Sequence, residues 1–156
     1  MTDPAVGLGF DVHAFATGGE LWLGGLLFEG EHGLAGHSDG DVVCHAIADA
    51  LLGAMALGDV GEHFPDTDRR TAGMPGERLL GRTVRILADR GRAPVSLDVT
   101  VVCERPTIAP RRLEMRERLA AISGVTVDRV SVKATRPEGL GLTGEGIGCL
   151  ALAVVG

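Results

Sequence analysis

At 156 residues the chain is sized for one domain with its own core, without help from disulfides. Its 45 % hydrophobic and 23 % charged residues exclude a disordered or low-complexity protein. A net charge of −6, scattered basic residues, 3 % aromatics and no tyrosine leave neither the basic patch nor the stacking ladder that nucleic acids need, so no nucleic-acid partner is expected.

In chain order, Val6 to Phe15 alternates small and large residues and reads as a strand. Leu21 to Phe28, after the turn-prone Thr17-Gly18-Gly19, reads as a second strand. Residues 29–40, rich in Gly, His, Ser and Asp, read as a loop feeding a helix. Ser38 or Asp39 can cap that helix, and Asp41 stands three residues after Ser38. The helix should run from Val42 to about Leu57 and end at Gly58 and Gly61, with an ordered turn over Phe64 to Asp68. Residues 77–90 follow helical spacing, Leu97 to Cys103 alternates as a strand, and Pro110 to Ile122 is an amphipathic helix. Val130 to Ala134 and Ile147 to Val155 complete the strands; there is no internal repeat and no linker.

These elements predict an α+β fold, a single domain over residues 1–156 with one mixed β-sheet and helices packed on one face. The other face then needs a cover, for which a partner subunit is the natural candidate. Cys44, Cys103 and Cys149 are odd in number and far apart, and read as reduced, buried thiols. The most apolar stretch, residues 46–57, is broken by Asp49 and too short to cross a bilayer. With no secretory leader evident, a cytoplasmic protein without a membrane partner is expected.

Asp11 and His13 are two apart in a strand, so their side chains emerge on one face and can reach one ion. A carboxylate and an imidazole suit zinc, although such a pair also occurs as a plain polar strand end. His45 can join them from the helix, where it lies on one stripe with Asp41 and Asp49; either carboxylate could orient its second ring nitrogen. Three ligands leave an open fourth position, the mark of a catalytic rather than a structural zinc site.

His37 and Ser38 precede the same helix, whose first-turn amides suit phosphate oxygens, with a simple N-cap as the other role for Ser38. His32 and His63 have no such setting and read as exposed. Asp59, Val60 and Gly61, with Phe64, Pro65, Asp66, Thr67 and Asp68, offer carboxylates and close backbone to sugar or polyol hydroxyls, or form a solvated acidic loop. After the strand at 130–134, Glu138 is either a ligand for a harder cation such as magnesium or a turn residue. An acidic protein that takes an anionic substrate favours such bound cations.

The segments GLGFDVHAF, AGHSDGDVVCHAIADALLGAMALGDVGEHFPDTD, VVCERPTIAP, and VKAT followed by EGLGLTG, in that order along nearly the whole chain, resemble the 2-C-methyl-D-erythritol 2,4-cyclodiphosphate synthases of the non-mevalonate isoprenoid pathway. The resemblance implies a homotrimer with the open sheet face in the trimer interface and active sites between subunits. Zinc would be held at Asp11, His13 and His45, and magnesium or manganese at Glu138. His37 and Ser38 would contact phosphate, and Asp59 to Gly61 with Phe64 to Asp68 would line the hydroxyl-bearing part of the substrate. Cys103 to Ala109, among them Pro106, Thr107 and Ile108, would form the cytosine pocket of a cytidine diphosphate substrate, contributed by a neighbouring subunit, and Ala134, Thr135 and Leu142 would also bind the substrate. The implied reaction is the attack of the substrate's 2-phosphate on its own β-phosphorus, which releases CMP.

Three features depart from that family. Arg136 and Pro137 stand where further Thr residues usually follow, so Arg136 occupies the place of a hydroxyl expected to steady the transition state. The TGRGEGIG-like pattern is shortened to TGEGIG, and Thr107 replaces a common Lys. They leave two alternatives to the cyclase: a divergent zinc-binding trimer with little activity, and a zinc phosphohydrolase.

Overall fold

In a computed structural model, which describes residues 3–141 and 145–156, the chain forms six strands and four α-helices. In order they are β1 (Ala5–Ala14), β2 (Leu21–Leu23), β3 (Leu26–Phe28), α1 (Val42–Ala54), α2 (Val60–His63), α3 (Gly76–Ala88), β4 (Pro94–Val102), α4 (Arg112–Ser123), β5 (Val130–Thr135) and β6 (Gly146–Val155). Short 3-10 turns at Ala109–Arg111 and Val127–Arg129 lead into α4 and β5.

The main sheet has the order β1-β6-β4-β5; β6 is antiparallel to both neighbours and β4 runs parallel to β5, so the sheet is mixed as expected. Strand alternation sends Gly7, Gly9, Asp11 and His13 to one face, and α1 packs there on β1 and β6. Leu97, Val99 and Val101 of β4 and Ile147, Cys149, Ala151 and Ala153 of β6 are buried on that side. Helix α1 is buried on nearly every side because α3 covers it from outside. The opposite face carries Val6, Leu8, Phe10, Val12, Leu150 and Leu152, all exposed, with Leu8 paired to Leu152 and Phe10 to Leu150.

Three expectations are corrected. Leu21 to Phe28 is not one strand but a hairpin outside the main sheet, because Gly24 and Gly25 both take positive φ and turn the chain. The cap of α1 is Asp41, neither Ser38 nor Asp39: its buried carboxylate accepts from Val43 N and Cys44 N, and also from Gly24 N and Gly25 N at 2.8 Å each. The helix stops at Ala54 rather than Leu57, as Met55 caps it and Ala56 swings to φ 52°. Beyond the end of that helix, Val60–His63 form the separate short α2 capped by Asp59, whose Oδ1 accepts from Glu62 N at 2.9 Å.

Candidate functional site

Two glycines on β1 bring its polar end against α1. A Cβ on Gly7 would lie 1.9 Å from the Ala50 carbonyl oxygen, and one on Gly9 2.0 Å from that of Ala46. Only glycine permits that approach. It carries His45 across to Asp11, so that Asp11 Oδ2 lies 3.2 Å from His45 Nδ1 and 3.1 Å from His13 Nε2. The ligand atoms of Asp11, His13 and His45 all fall within 4.8 Å of one another, and this is the one such grouping among the described residues.

The second nitrogen of each ring is held. His13 Nδ1 donates to Ala35 O at 2.6 Å, which leaves Nε2 turned to Asp11. His45 Nε2 lies 3.4 Å from Ser38 Oγ, a hydroxyl that also accepts from Gly40 N. The expected partners of His45, Asp41 and Asp49, are both engaged elsewhere: Asp41 in the cap, and Asp49 in accepting from Val60 N at 2.8 Å. Ser38 does that work because the loop before α1 folds back over the helix start.

Burial alone raises the carboxyl of Asp11, but hydrogen bonds and charge from His13 and His45 outweigh it and hold the group well below the usual carboxylate range. The hydrogen bond to Asp11 raises His13, against the opposing effect of burial. A divalent ion can take the place of the proton shared there. Tetrahedral arms of about 2.0–2.1 Å put neighbouring ligands roughly 3.3 Å apart. The two spacings around Asp11 match that, and two imidazoles with one carboxylate are a zinc-type donor set. The residues therefore fit a metal.

The triad opens into a cleft of about 530 Å³. Of the residues singled out in the sequence, His37, Ser38, Asp59, Val60, Gly61, Phe64, Pro65, Asp66 and Thr67 line it. Gly36, Thr71, Met74 and Leu79 line it too and carried no legible signal as site residues, and Asp49, expected as a partner of His45, lines it as well. Asp68 is not brought in; its carboxylate is forked on Arg70. His37 and Asp66 face each other at 3.8 Å on the exposed rim. Asp11, Asp49, Asp59 and Asp66 give the lining four carboxylates, with no lysine or arginine, so an anion enters only with cations. The first turn of α1 does not serve as a phosphate seat, because the Asp41 carboxylate already occupies two of its amides with negative charge. His63, expected to be exposed, is half-buried and donates from Nε2 to Leu57 O at 2.8 Å.

A second pocket, of about 150 Å³, lies beyond the ends of β4 and β5. Cys103, Pro106, Thr107, Ile108, Ala109, Ala134 and Thr135 gather there as one unit, together with Arg112, which sequence reasoning missed. Arg136 also lines this pocket and does not line the metal cleft. Burial, then the charge of Glu104, push the Cys103 thiol up to about 11, and the nearby Arg136 cation partly offsets them. Glu138 is exposed at φ 52° on the turn closed by Leu140 N to Pro137 O, and no other described ligand of this chain stands with it. Leu142 lies outside the described residues.

Both pockets sit at one end of the sheet: Ala14 pairs with Gly146, Val102 with Gly148, and Thr135 with Val102. They stand at opposite edges, the triad on β1 and the smaller pocket by β5.

A sheet of this topology with such a triad at its edge defines an α+β protein with a candidate metal site, and the chain belongs to the YgbB family, which matches residues 5–156. It is 51 % identical over 150 residues to the 2-C-methyl-D-erythritol 2,4-cyclodiphosphate synthase of Acinetobacter baylyi, covering 96 % of this chain and 92 % of the relative. The bifunctional enzyme IspD/IspF of Caulobacter vibrioides is 49 % identical over 96 % of this chain, which spans 39 % of that longer protein. Among solved structures, a 2C-methyl-D-erythritol-2,4-cyclodiphosphate synthase in its CDP-bound form superposes with a TM-score of 0.90 at 33 % identity, over 97 % of this chain and 99 % of that one. The bifunctional IspDF of Campylobacter jejuni gives 0.92 at 34 % identity, over 98 % of this chain and 42 % of that one. Among the described residues, no helix is long and apolar enough to cross a membrane.

Proposed function

We propose that this chain is a 2-C-methyl-D-erythritol 2,4-cyclodiphosphate synthase of isoprenoid precursor biosynthesis, working as a cytoplasmic homotrimer. It converts 4-CDP-2-C-methyl-D-erythritol 2-phosphate to the 2,4-cyclodiphosphate and CMP. The observation that carries the reading is the convergence of Asp11, His13 and His45 at the floor of an acidic cleft, in a chain about half identical to such synthases.

Asp11, His13 and His45 would hold zinc, with Ala35 O and Ser38 Oγ fixing the two rings; when bound, zinc supplies Lewis-acid polarisation of phosphoryl oxygens. Glu138 would hold magnesium or manganese. Asp59, Gly61, Asp66 and Thr67 orient the hydroxyl-bearing part of the substrate by accepting from or donating to its hydroxyls. His37, on the exposed rim, donates to a phosphate oxygen. An oxygen of the 2-phosphate bonds to the β-phosphorus, the bond from that phosphorus to the bridging oxygen breaks, and CMP leaves with the bridging oxygen. No protein nucleophile is needed. The residues act by holding the two phosphates in line and by excluding competing water.

Because the triad and the small pocket stand at opposite edges of one sheet, a site that uses both is completed by a neighbouring copy, whose β4–β5 end meets the β1 end of the first. The exposed apolar face of β1 and β6 supplies the surface for that contact. Zinc-loaded protein with the CDP-substrate and magnesium should release CMP and the cyclic diphosphate in equal amounts, read by mass spectrometry. A linear product would point to a phosphohydrolase, and no product from fully zinc-loaded trimer would point to a divergent binding protein.

A further inference from the structure

We propose that Arg112 and Arg136 together form a phosphate clamp on the rim of the smaller pocket, gripping the phosphate esterified to the nucleotide's ribose. This rests on reading that pocket as the nucleotide site.

The pocket combines an apolar floor with a purely cationic rim. Ile108, buried to 2 % exposure, lies with the buried Pro106 and Cys103 at its base, and the exposed Ala109 and Ala134 line it as well. The charged residues lining it are Arg112 and Arg136, and no carboxylate lines it. They come from different elements: Arg112 opens α4, and Arg136 follows the last residue of β5. Most neighbouring arginines are committed. Arg111 forks Glu114 at 2.8 Å, Arg116 donates to Val127 O and Val130 O, and Arg105 lies 3.5 Å from Glu31. Among the described residues, no ion pair or hydrogen bond engages the guanidinium of Arg112 or Arg136, and both residues are exposed. Glu104, the acid beside the pocket in sequence, accepts from Gly139 N at 3.3 Å.

Two guanidiniums lining one small pocket, without a carboxylate beside them in its lining, favour an anion there, in a chain whose net charge is −6. A planar, largely apolar group fits the floor and a phosphate fits the rim, since guanidiniums bind phosphate oxygens in bidentate fashion. The metal cleft has the opposite character, with four carboxylates and no lysine or arginine. The chain's own positive charge for the substrate is therefore concentrated at the nucleotide end, and the departure at position 136 acquires a binding role.

Calorimetric titration of zinc-loaded protein with CMP and with cytidine tests this, on the unmodified chain, Arg112→Gln, Arg136→Gln and the double variant. Each single change should weaken CMP about tenfold and the double change more, while cytidine affinity stays within about twofold. CMP binding should also weaken with added salt, less steeply in the double variant. Equal CMP affinity in the double variant, a parallel loss of CMP and cytidine, or no CMP binding to the unmodified protein would each overturn the clamp. Turnover of the CDP-substrate, measured alongside, separates this from the wider reading. Arginine-dependent CMP binding without turnover sinks the cyclase assignment alone; turnover without arginine dependence sinks the clamp alone.

Discussion

Gly9 and Ala46 lie in such close contact that a single methyl on the glycine would stand 2.0 Å from the alanine's carbonyl oxygen. That contact sets how near α1 comes to β1, and so whether His45 reaches Asp11. Gly9→Ala should therefore do two things. It should cost about 1–3 kcal/mol or more of stability, because the obstacle is backbone and cannot rotate away. It should also weaken zinc binding in the molecules that remain folded, by spreading the triad. Denaturant melts and chelator competition measure the two effects. A variant that lost stability with unchanged zinc affinity would show that the helix returns to its place and that the glycine serves packing alone.

Ser38 orients His45 without touching the metal position itself. Ser38→Ala should lower zinc affinity by about tenfold or more, in the range typical of groups that support a metal ligand. Overall stability should change little, since Asp41 rather than Ser38 caps the helix. His45→Ala should abolish tight binding. Equal zinc affinity in Ser38→Ala and the unmodified chain would remove the hydroxyl from the site's design.

Asp41 is buried, and its carboxylate accepts from four backbone amides, two in the β2–β3 turn and two in α1. Asp41→Ala leaves all four without that acceptor and should cost about 3 kcal/mol or more. The folded fraction at ordinary temperature, followed by circular dichroism, reports the loss. A cost below about 1 kcal/mol would mean that water reaches those amides.

The metal-free protein should show a stability plateau on the acid side of neutrality. Asp11 is held below its ordinary 3.8, so its contribution is present above that value and is lost as pH falls through the lower folded value. His13 is raised above its ordinary 6.5, so its contribution is complete below 6.5 and is lost as pH rises through the raised value. Both are in force between pH 3.8 and 6.5. Zinc reverses the trend above that window, because it must displace the His13 proton and so binds more tightly as pH rises. At a free concentration 100 times its dissociation constant it should add about 2.7 kcal/mol. Denaturation midpoints across pH, with and without zinc, give both curves. A metal-free midpoint that kept rising above pH 6.5 would contradict the Asp11–His13 pairing.

Leu8 and Phe10 stand 69 % and 52 % exposed on the uncovered sheet face, opposite Leu152 and Leu150. A charge placed there has to be buried if copies of the chain meet on this face. If the proposed trimer forms through this face, Leu8→Asp should shift it to monomer in sedimentation, with loss of turnover but retention of zinc. An unmodified chain that sediments as a monomer would remove the shared-site account.

The alternation of β1 showed in the sequence because strand period is local: Asp11 and His13 share a face whatever lies beyond. The acidic segment around residues 59–67 was legible for the same reason, since the chain's own turns keep its groups together. The cap of α1 was not. Ser38, Asp39 and Asp41 are chemically equivalent candidates, and the choice fell to the residue that also reaches Gly24 and Gly25, sixteen or seventeen positions back. Asp68 looked like part of the hydroxyl-binding set until Arg70, two residues on, claimed its carboxylate.

By itself, then, the sequence determined the types of the long elements, the shared face of Asp11 and His13, and the family likeness. Those depend on side-chain chemistry and on periods of two or 3.6 residues. Tertiary structure alone decided that Ser38, rather than Asp41 or Asp49, stands at the second ring nitrogen of His45, and that Arg136 lines the small pocket rather than the metal cleft. The physical reason is that helix spacing fixes which residues share a stripe, while the element lying across that stripe is chosen by packing, here by two glycines too small to hold the helix away.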